Sequence, residues 1–125
     1  MTIQKAIEVV DQLKPNHYEE SLKIQWLSKY DGQLFEEVFK THEGCPMESF
    51  AGYSTETDKS TELLVPEPYA LDIYNNYLQA QIDKENGEIE RFNQSGLLFN
   101  QAHQAFVNYY NRTHMPLSVG TRFRF

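Results

Sequence analysis

The side chains in this chain able to carry reactions near neutral pH are one cysteine, four histidines and eighteen carboxylates. Their spacing decides whether they can act together. A di-iron helical bundle places an acid three residues before each histidine. Here Lys14, Phe39, Asn100 and Asn111 precede His17, His42, His103 and His114 at that spacing. There is no His-Glu-x-x-His pair, and Cys45 has no second cysteine with which to form a zinc cluster. Cys45 beside Pro46 lacks an acid placed to orient His42 as a base, so the pair is a weak nucleophile candidate. Asp58-Lys59-Ser60 has the ending of a phosphate loop without the glycines that let backbone amides approach an anion. No Gly-x-Ser-x-Gly elbow occurs. The expectation is a protein that is not an enzyme, with no catalytic, cofactor-binding or metal-binding residues. His103 falls on an apolar helical seam, where a hydrogen-bonded core imidazole is expected rather than a ligand.

The elements that would position side chains are helices. Ile3, Ala6, Ile7, Val10 and Leu13 share one face of a first helix, with Thr2 as its cap and Pro15-Asn16 as its break. Leu22, Trp26, Tyr30, Leu34 and Val38 recur every fourth residue, flanked by Ile24, Leu27 and Phe39. This predicts one helix to about His42, weakened at Gly32. The alternative is two helices turning at Asp31-Gly32. A DNA-reading role there is disfavoured, because Glu36 and Glu37 oppose phosphates.

Pro66 and Pro68 hold an extended entry to a third helix. Its apolar positions, among them Leu71, Ile73, Tyr74, Tyr77, Leu78, Ala80 and Ile82, are too broad for a single buried side. Asn86-Gly87 ends it. A fourth helix follows with Ile89, Phe92, Gly96, Phe99, His103, Phe106, Tyr110 and Thr113 at alternating steps of three and four, a seam widened by Leu98, Ala102, Ala105 and Tyr109. At 1.5 Å per residue it is on the order of 40 Å long. So long a helix either spans the fold or has part of its seam covered by another subunit.

The predicted fold class is therefore mainly all-α, with about four helices. They fall at 1–14, 18–42, 68–86 and 88–114 in a single domain, with a loop at 43–65 and a tail at 117–125. The last two helices form a long hairpin. The loop is polar, and Phe50 and Tyr53 within it either pack back on the helices or contact a partner. In the tail, Thr121, Phe123 and Phe125 alternate with Arg122 and Arg124. That is strand periodicity, and a lone strand needs another edge, from the loop or from a neighbouring subunit. Arg122, Phe123, Arg124 and Phe125 are accordingly candidate contacts.

All eighteen acids lie at or before Glu90, against seven basic residues there; four arginines and no carboxylate follow. The basic end could dock on an acidic partner, while the acidic bulk opposes ordinary duplex binding. No stretch is apolar enough to span a membrane, and MTIQKAIEVV lacks the pattern of a secretory signal. One cysteine fits a reducing compartment. The Asn93-Gln94-Ser95 and Asn111-Arg112-Thr113 sequons are read as chance matches.

Three stretches together carry a family resemblance. They are PNHYEESLKIQWLSKYDGQLFEEV (Pro15–Val38), TELLVPEPYALDIYNNYLQAQIDKENGEIERFNQSGLLFNQAHQAFVNYYNRTHMP (Thr61–Pro116) and GTRFRF (Gly120–Phe125). They resemble the small helical head–tail connector proteins, also called head-completion or adaptor proteins, of tailed phages and prophages of Gram-positive bacteria. The resemblance implies a subunit that forms a ring beneath the portal and extends the DNA channel. It implies the portal and neighbouring connector or tail proteins as partners, and DNA that passes without specific binding. It further implies assembly in the bacterial host cytoplasm and residence in the virion, with no catalytic residues. A channel reading makes Glu36 and Glu37 candidate channel-facing acids, since like charge would let DNA slide. The alternative is a stand-alone helical interaction module or small regulator without catalytic activity.

Overall fold

The structure is a computed structural model that describes residues 1–45 and 47–117. It is helical, with α1 at Ile3–Leu13, α2 at Glu20–Leu34, α3 at Ala70–Asn86 and α4 at Ile89–Thr113. The mainly-α class and the C-terminal hairpin follow the sequence prediction.

In α1 the Thr2 hydroxyl accepts the Lys5 amide at 3.1 Å, which caps the free first turn. Ile3, Ala6, Ile7 and Val10 are buried. Leu13, expected on the same face, is 63% exposed. The helix closes there with the Lys14 amide on the Val10 carbonyl, and Pro15 follows.

Helix α2 runs through Asp31-Gly32 without a turn and continues into one wide π-type turn at Phe35–Phe39. The Lys40 amide reaches back five residues to the Phe35 carbonyl at 2.9 Å. Such a turn holds one more residue than an α turn and shifts the helical phase. The shift lets Leu34, Phe35, Val38 and Phe39 all point inward, while Glu36 and Glu37 stay outside. Trp26 is core, as its place in the four-residue repeat predicts.

Helix α3 is the hub, packed against α1, α2 and α4. Three neighbours account for its broad buried surface, which includes Ile73, Tyr74, Tyr77, Leu78 and Ile82. Leu71 is the exception, 44% exposed in the first turn. Gly87, at φ +74°, ends α3 in the left-handed conformation and bonds back to the Asp83 and Lys84 carbonyls.

Helix α4 rests mainly on α3. Only Ser95, Phe106 and Tyr110 of its 25 residues are buried. Phe92, Phe99 and His103 of the predicted seam are half-buried, whereas Ile89 is 72% exposed. The seam is real in its middle and unsupported at its start, because α3 ends before Ile89 can cross it. Ser95 meets the core through its hydroxyl, which donates to Asp83 at 2.7 Å. Lys14 Nζ lies 2.6 Å from the other oxygen of Asp83. This buried carboxylate joins α3 and α4 to the residue that ends α1.

The chain between α2 and α3 is fastened along its length despite having no helix. Glu62 pairs with Thr2 in a short antiparallel bridge, and the Leu63 amide donates to the Met1 carbonyl at 2.9 Å. Gly52, at φ +87°, brings the backbone so close to α2 that an added Cβ would stand 2.8 Å from Ser28 Oγ. After α4, residues 115–117 pair with 41–43 through the Glu43 amide on Met115 and the Leu117 amide on Thr41. The strand periodicity of 121–125, with Arg122, Phe123, Arg124 and Phe125, lies outside the described residues.

Gly96 sits inside α4 with nothing within 4 Å of where its Cβ would be. Replacing it with alanine should raise unfolding stability by about 0.5–1 kcal/mol, the helix-propensity difference. Urea denaturation followed by circular dichroism checks this, and a loss of stability would show that some group needs the bare backbone there.

Candidate functional site

The histidines and the cysteine are dispersed, and all but His17 are engaged with the chain's own groups. His17 is exposed. His42 is buried, its Nδ1 2.7 Å from the Val38 carbonyl and its Nε2 2.7 Å from Asn111 Oδ1. His103 Nδ1 is 2.8 Å from the Tyr30 hydroxyl. His114 stacks on Tyr110 with ring centres 3.8 Å apart. Cys45 Sγ donates to the Met47 carbonyl at 3.1 Å, while both ring nitrogens of His42 are engaged elsewhere. Among the described residues no group of three His, Cys, Asp or Glu side chains is placed to hold a metal ion. No described helix is long and apolar enough to cross a membrane.

The most concentrated polar chemistry is at Asp31, which has no exposed surface. Its Oδ1 accepts the Tyr74 hydroxyl at 2.6 Å. Its Oδ2 accepts the Tyr53 hydroxyl at 2.6 Å and the Leu64 amide at 3.0 Å. Tyr74 in turn accepts the Val65 amide at 2.9 Å. One carboxylate on α2 thus holds α3 and two points of the loop, Tyr53 in its middle and Leu64 at its end. Burial pushes the Asp31 carboxyl above its ordinary range, against the pull of its three donors. Burial and the neighbouring charge push Tyr30, Tyr53 and Tyr74 well up, and Tyr77 up to about 12. Of these, Tyr53 and Tyr74 donate to the Asp31 carboxylate, and phenols held protonated so firmly are unsuited to exchange protons in a reaction cycle.

Sequence reasoning assigned Asp31 to a weak point in the helix. The available signal was its phase: it stands four residues after Leu27 and one after Tyr30, on the buried side. Phe50 and Tyr53, the loop aromatics, are both half-buried and turned onto the chain's own body. The Phe50 ring lies 6.3 Å from Phe35 and 5.1 Å from Tyr53, and Tyr53 is one of the Asp31 donors. Glu36 and Glu37 are exposed on the wide turn, with Glu36 3.3 Å from Lys40 in an open ion pair. Such a pair contributes little to stability and leaves the turn's outer surface acidic.

Two surface features remain. A hollow of about 270 Å³ lies between Phe39, Leu64, Pro66, Phe106, Tyr109 and Tyr110, beside the paired residues 115–117. The outer side of α4 carries Leu97 and Leu98, 58% and 51% exposed, among asparagines and glutamines. This surface is neither acidic nor strongly apolar.

Comparison of this chain with protein-family models, with curated proteins and with solved structures found no match.

Two measurements test the polar framework. Asp31→Asn keeps the shape but sets an amide donor against tyrosine and backbone donors, so unfolding stability should fall by about 2–3 kcal/mol. Tyr74→Phe should lose about 1–2 kcal/mol, and the double variant less than the sum, because both act on one network. Urea titrations give all three values; full additivity would show that the network does not act as a unit.

Burial lowers the His103 pKa, and Glu37 only partly opposes it. A base lowered on folding binds protons more readily when unfolded. Its contribution is therefore fully present above about pH 6.5, the free-imidazole value, and is lost as pH falls from there through the lower folded value. Asp31 runs the other way: its raised pKa means the folded state binds the extra proton, and its contribution declines as pH rises through the folded value. His103→Gln should flatten the stability loss between pH 7 and 5, measured by urea midpoints. An unchanged slope would place the acid sensitivity elsewhere.

Proposed function

We propose that this chain is a structural subunit of the head–tail connector of a tailed phage or prophage. In this reading, copies assemble as a ring beneath the portal and extend the channel through which DNA passes. The observation that carries the reading is the one-sidedness of α4: a helix of 25 residues with three buried exceeds what its own core uses. Surface of that kind suits a protein whose neighbours complete it. The three family-like stretches add support, since they include α2, the entry to α3 and the whole hairpin. The dispersal of the histidines and the cysteine, with His42, His103 and Cys45 bonded within the framework, suits a role without catalysis.

The portal and adjoining connector or tail proteins are the partners in this proposal, and the virion is its location. DNA is in transit rather than bound. The acids of the wide turn, Glu36 and Glu37, face solvent and would repel phosphates along such a path. Phe50 and Tyr53 act in this reading as supports for the loop, holding its outer surface in a fixed shape for a neighbour.

The test is electron microscopy of the purified chain mixed with the portal protein of the phage or prophage that encodes it. A ring coaxial with the portal is expected; portals left bare would overturn the proposal in favour of a stand-alone interaction module. Particles carrying Glu36→Lys with Glu37→Lys should assemble normally and release DNA more slowly, read by real-time ejection. Normal release would remove these two acids from the channel.

A further inference from the structure

The outer face of α4 has an internal symmetry of its own. Glu90 and Arg112 stand equally far from Gln101 in sequence, as do Gln94 and Asn108, and Leu97 and Ala105. At 3.6 residues per turn these positions fall within an arc of about 80° on the side opposite Phe106. All are exposed. Glu90 and Arg112 have no ion-pair partner within the chain among the described residues. The nearby Arg91 is turned to Glu88 at 3.1 Å.

The geometry points to a second copy of this chain as the occupant of this face, its α4 antiparallel to the first and centred on Gln101. In that register Glu90 of each copy meets Arg112 of the other at both ends. Leu97 of each lies over the small Ala105, so the helices approach closely beside it. The amides of Gln94 and Asn108 meet in between, where either can donate or accept. A parallel arrangement would set Glu90 on Glu90 and Arg112 on Arg112, which disfavours it. The face is self-complementary in one orientation only, as a two-fold contact requires.

The strip from Glu90 to Arg112 is roughly 33 Å long and about 10 Å wide, on the order of 300 Å² per copy. That is smaller than the ~800 Å² per partner of a stable interface, so the pair is weak and concentration-dependent. A two-fold pair closes on itself, whereas a ring needs head-to-tail contacts. Pairing is therefore a property of the free chain and competes with any ring contact made by the same face. It stands independently of the connector reading.

Sedimentation of the free chain over a concentration series tests it. The wild type should shift from monomer towards dimer at a few hundred micromolar. Glu90→Arg alone and Arg112→Glu alone should each weaken the dimer about tenfold, as expected for two symmetry-related surface pairs. The double variant Glu90→Arg with Arg112→Glu should restore it. In a Cys45→Ser background, Gln101→Cys should form an interchain disulfide under mild oxidation, and Gln33→Cys on the outside of α2 should not. Circular dichroism confirms that each variant is folded. A wild type that stays monomeric throughout, a double variant that fails to recover, or equal crosslinking at both sites would overturn the inference. None of these outcomes alters the portal experiment.

Discussion

A carboxylate taken wholly out of water must be met by donors or the fold does not form. Asp31 imposes that demand from the middle of α2, and three segments of the chain answer it. Tyr74 answers from α3, Tyr53 from the loop, and the Leu64 amide from the strap leading into α3. The arrangement converts one desolvation problem into a fixed relation among elements far apart in sequence. Apolar packing alone would hold α2 against α3 while leaving the loop many positions of similar energy. The directional bonds select one. Gly52 belongs to the same solution, since only a residue without a side chain lets the loop lie against Ser28 and deliver Tyr53 to its acceptor.

Much of this architecture was legible in the sequence. The four helices, the hairpin and its Asn86-Gly87 stop follow from apolar period and cap chemistry, which are local signals. Trp26, Tyr30, Leu34 and Val38 were readable as core for the same reason. Leu98 and Ala105, read as widening the α4 seam, are exposed in mid-helix because α4 rests mainly on α3 alone, and three other misplaced residues share a different cause. Leu13, Leu71 and Ile89 have the right period but sit at helix ends, where the neighbouring element has already stopped or turned away. Periodicity records which side faces in and says nothing about how far the partner extends. The helix through Asp31-Gly32 was readable, but the role of Asp31 was not, because its partners are known only once the chain is folded. The wide turn at Phe35–Phe39 has no local signature beyond adjacent buried residues at Leu34 and Phe35.

The candidate surfaces were less legible than the fold, because surface roles follow from what the fold leaves uncovered. Phe50 and Tyr53 were open between packing and partner contact, and the structure places both on the chain's own body. The change of charge near Glu90 was visible at once, yet its consequence depends on α4 lying on α3 with its amide-rich side outward. The hub position of α3 explains both facts. It absorbs the apolar surface of three neighbours, so α4 closes one edge of the core and retains a free side.

The same clustering of phenols gives the molecule an optical identity. Tyr30 lies within 5.8 Å of the rings of Tyr74 and Tyr77, and all three, with Tyr53, are held protonated by burial and by Asp31. In strong base such tyrosines cannot ionise one at a time from an intact core. The first to lose its proton would place a second negative charge beside the buried carboxylate. The tyrosinate absorbance of these four, of the chain's eight tyrosines, should therefore rise in a single steep step as the core opens, and the lone indole of Trp26, edge-on to Tyr18, should redden in the same step. The chain carries its own spectroscopic clock for the moment when helix, loop and hub let go of one another.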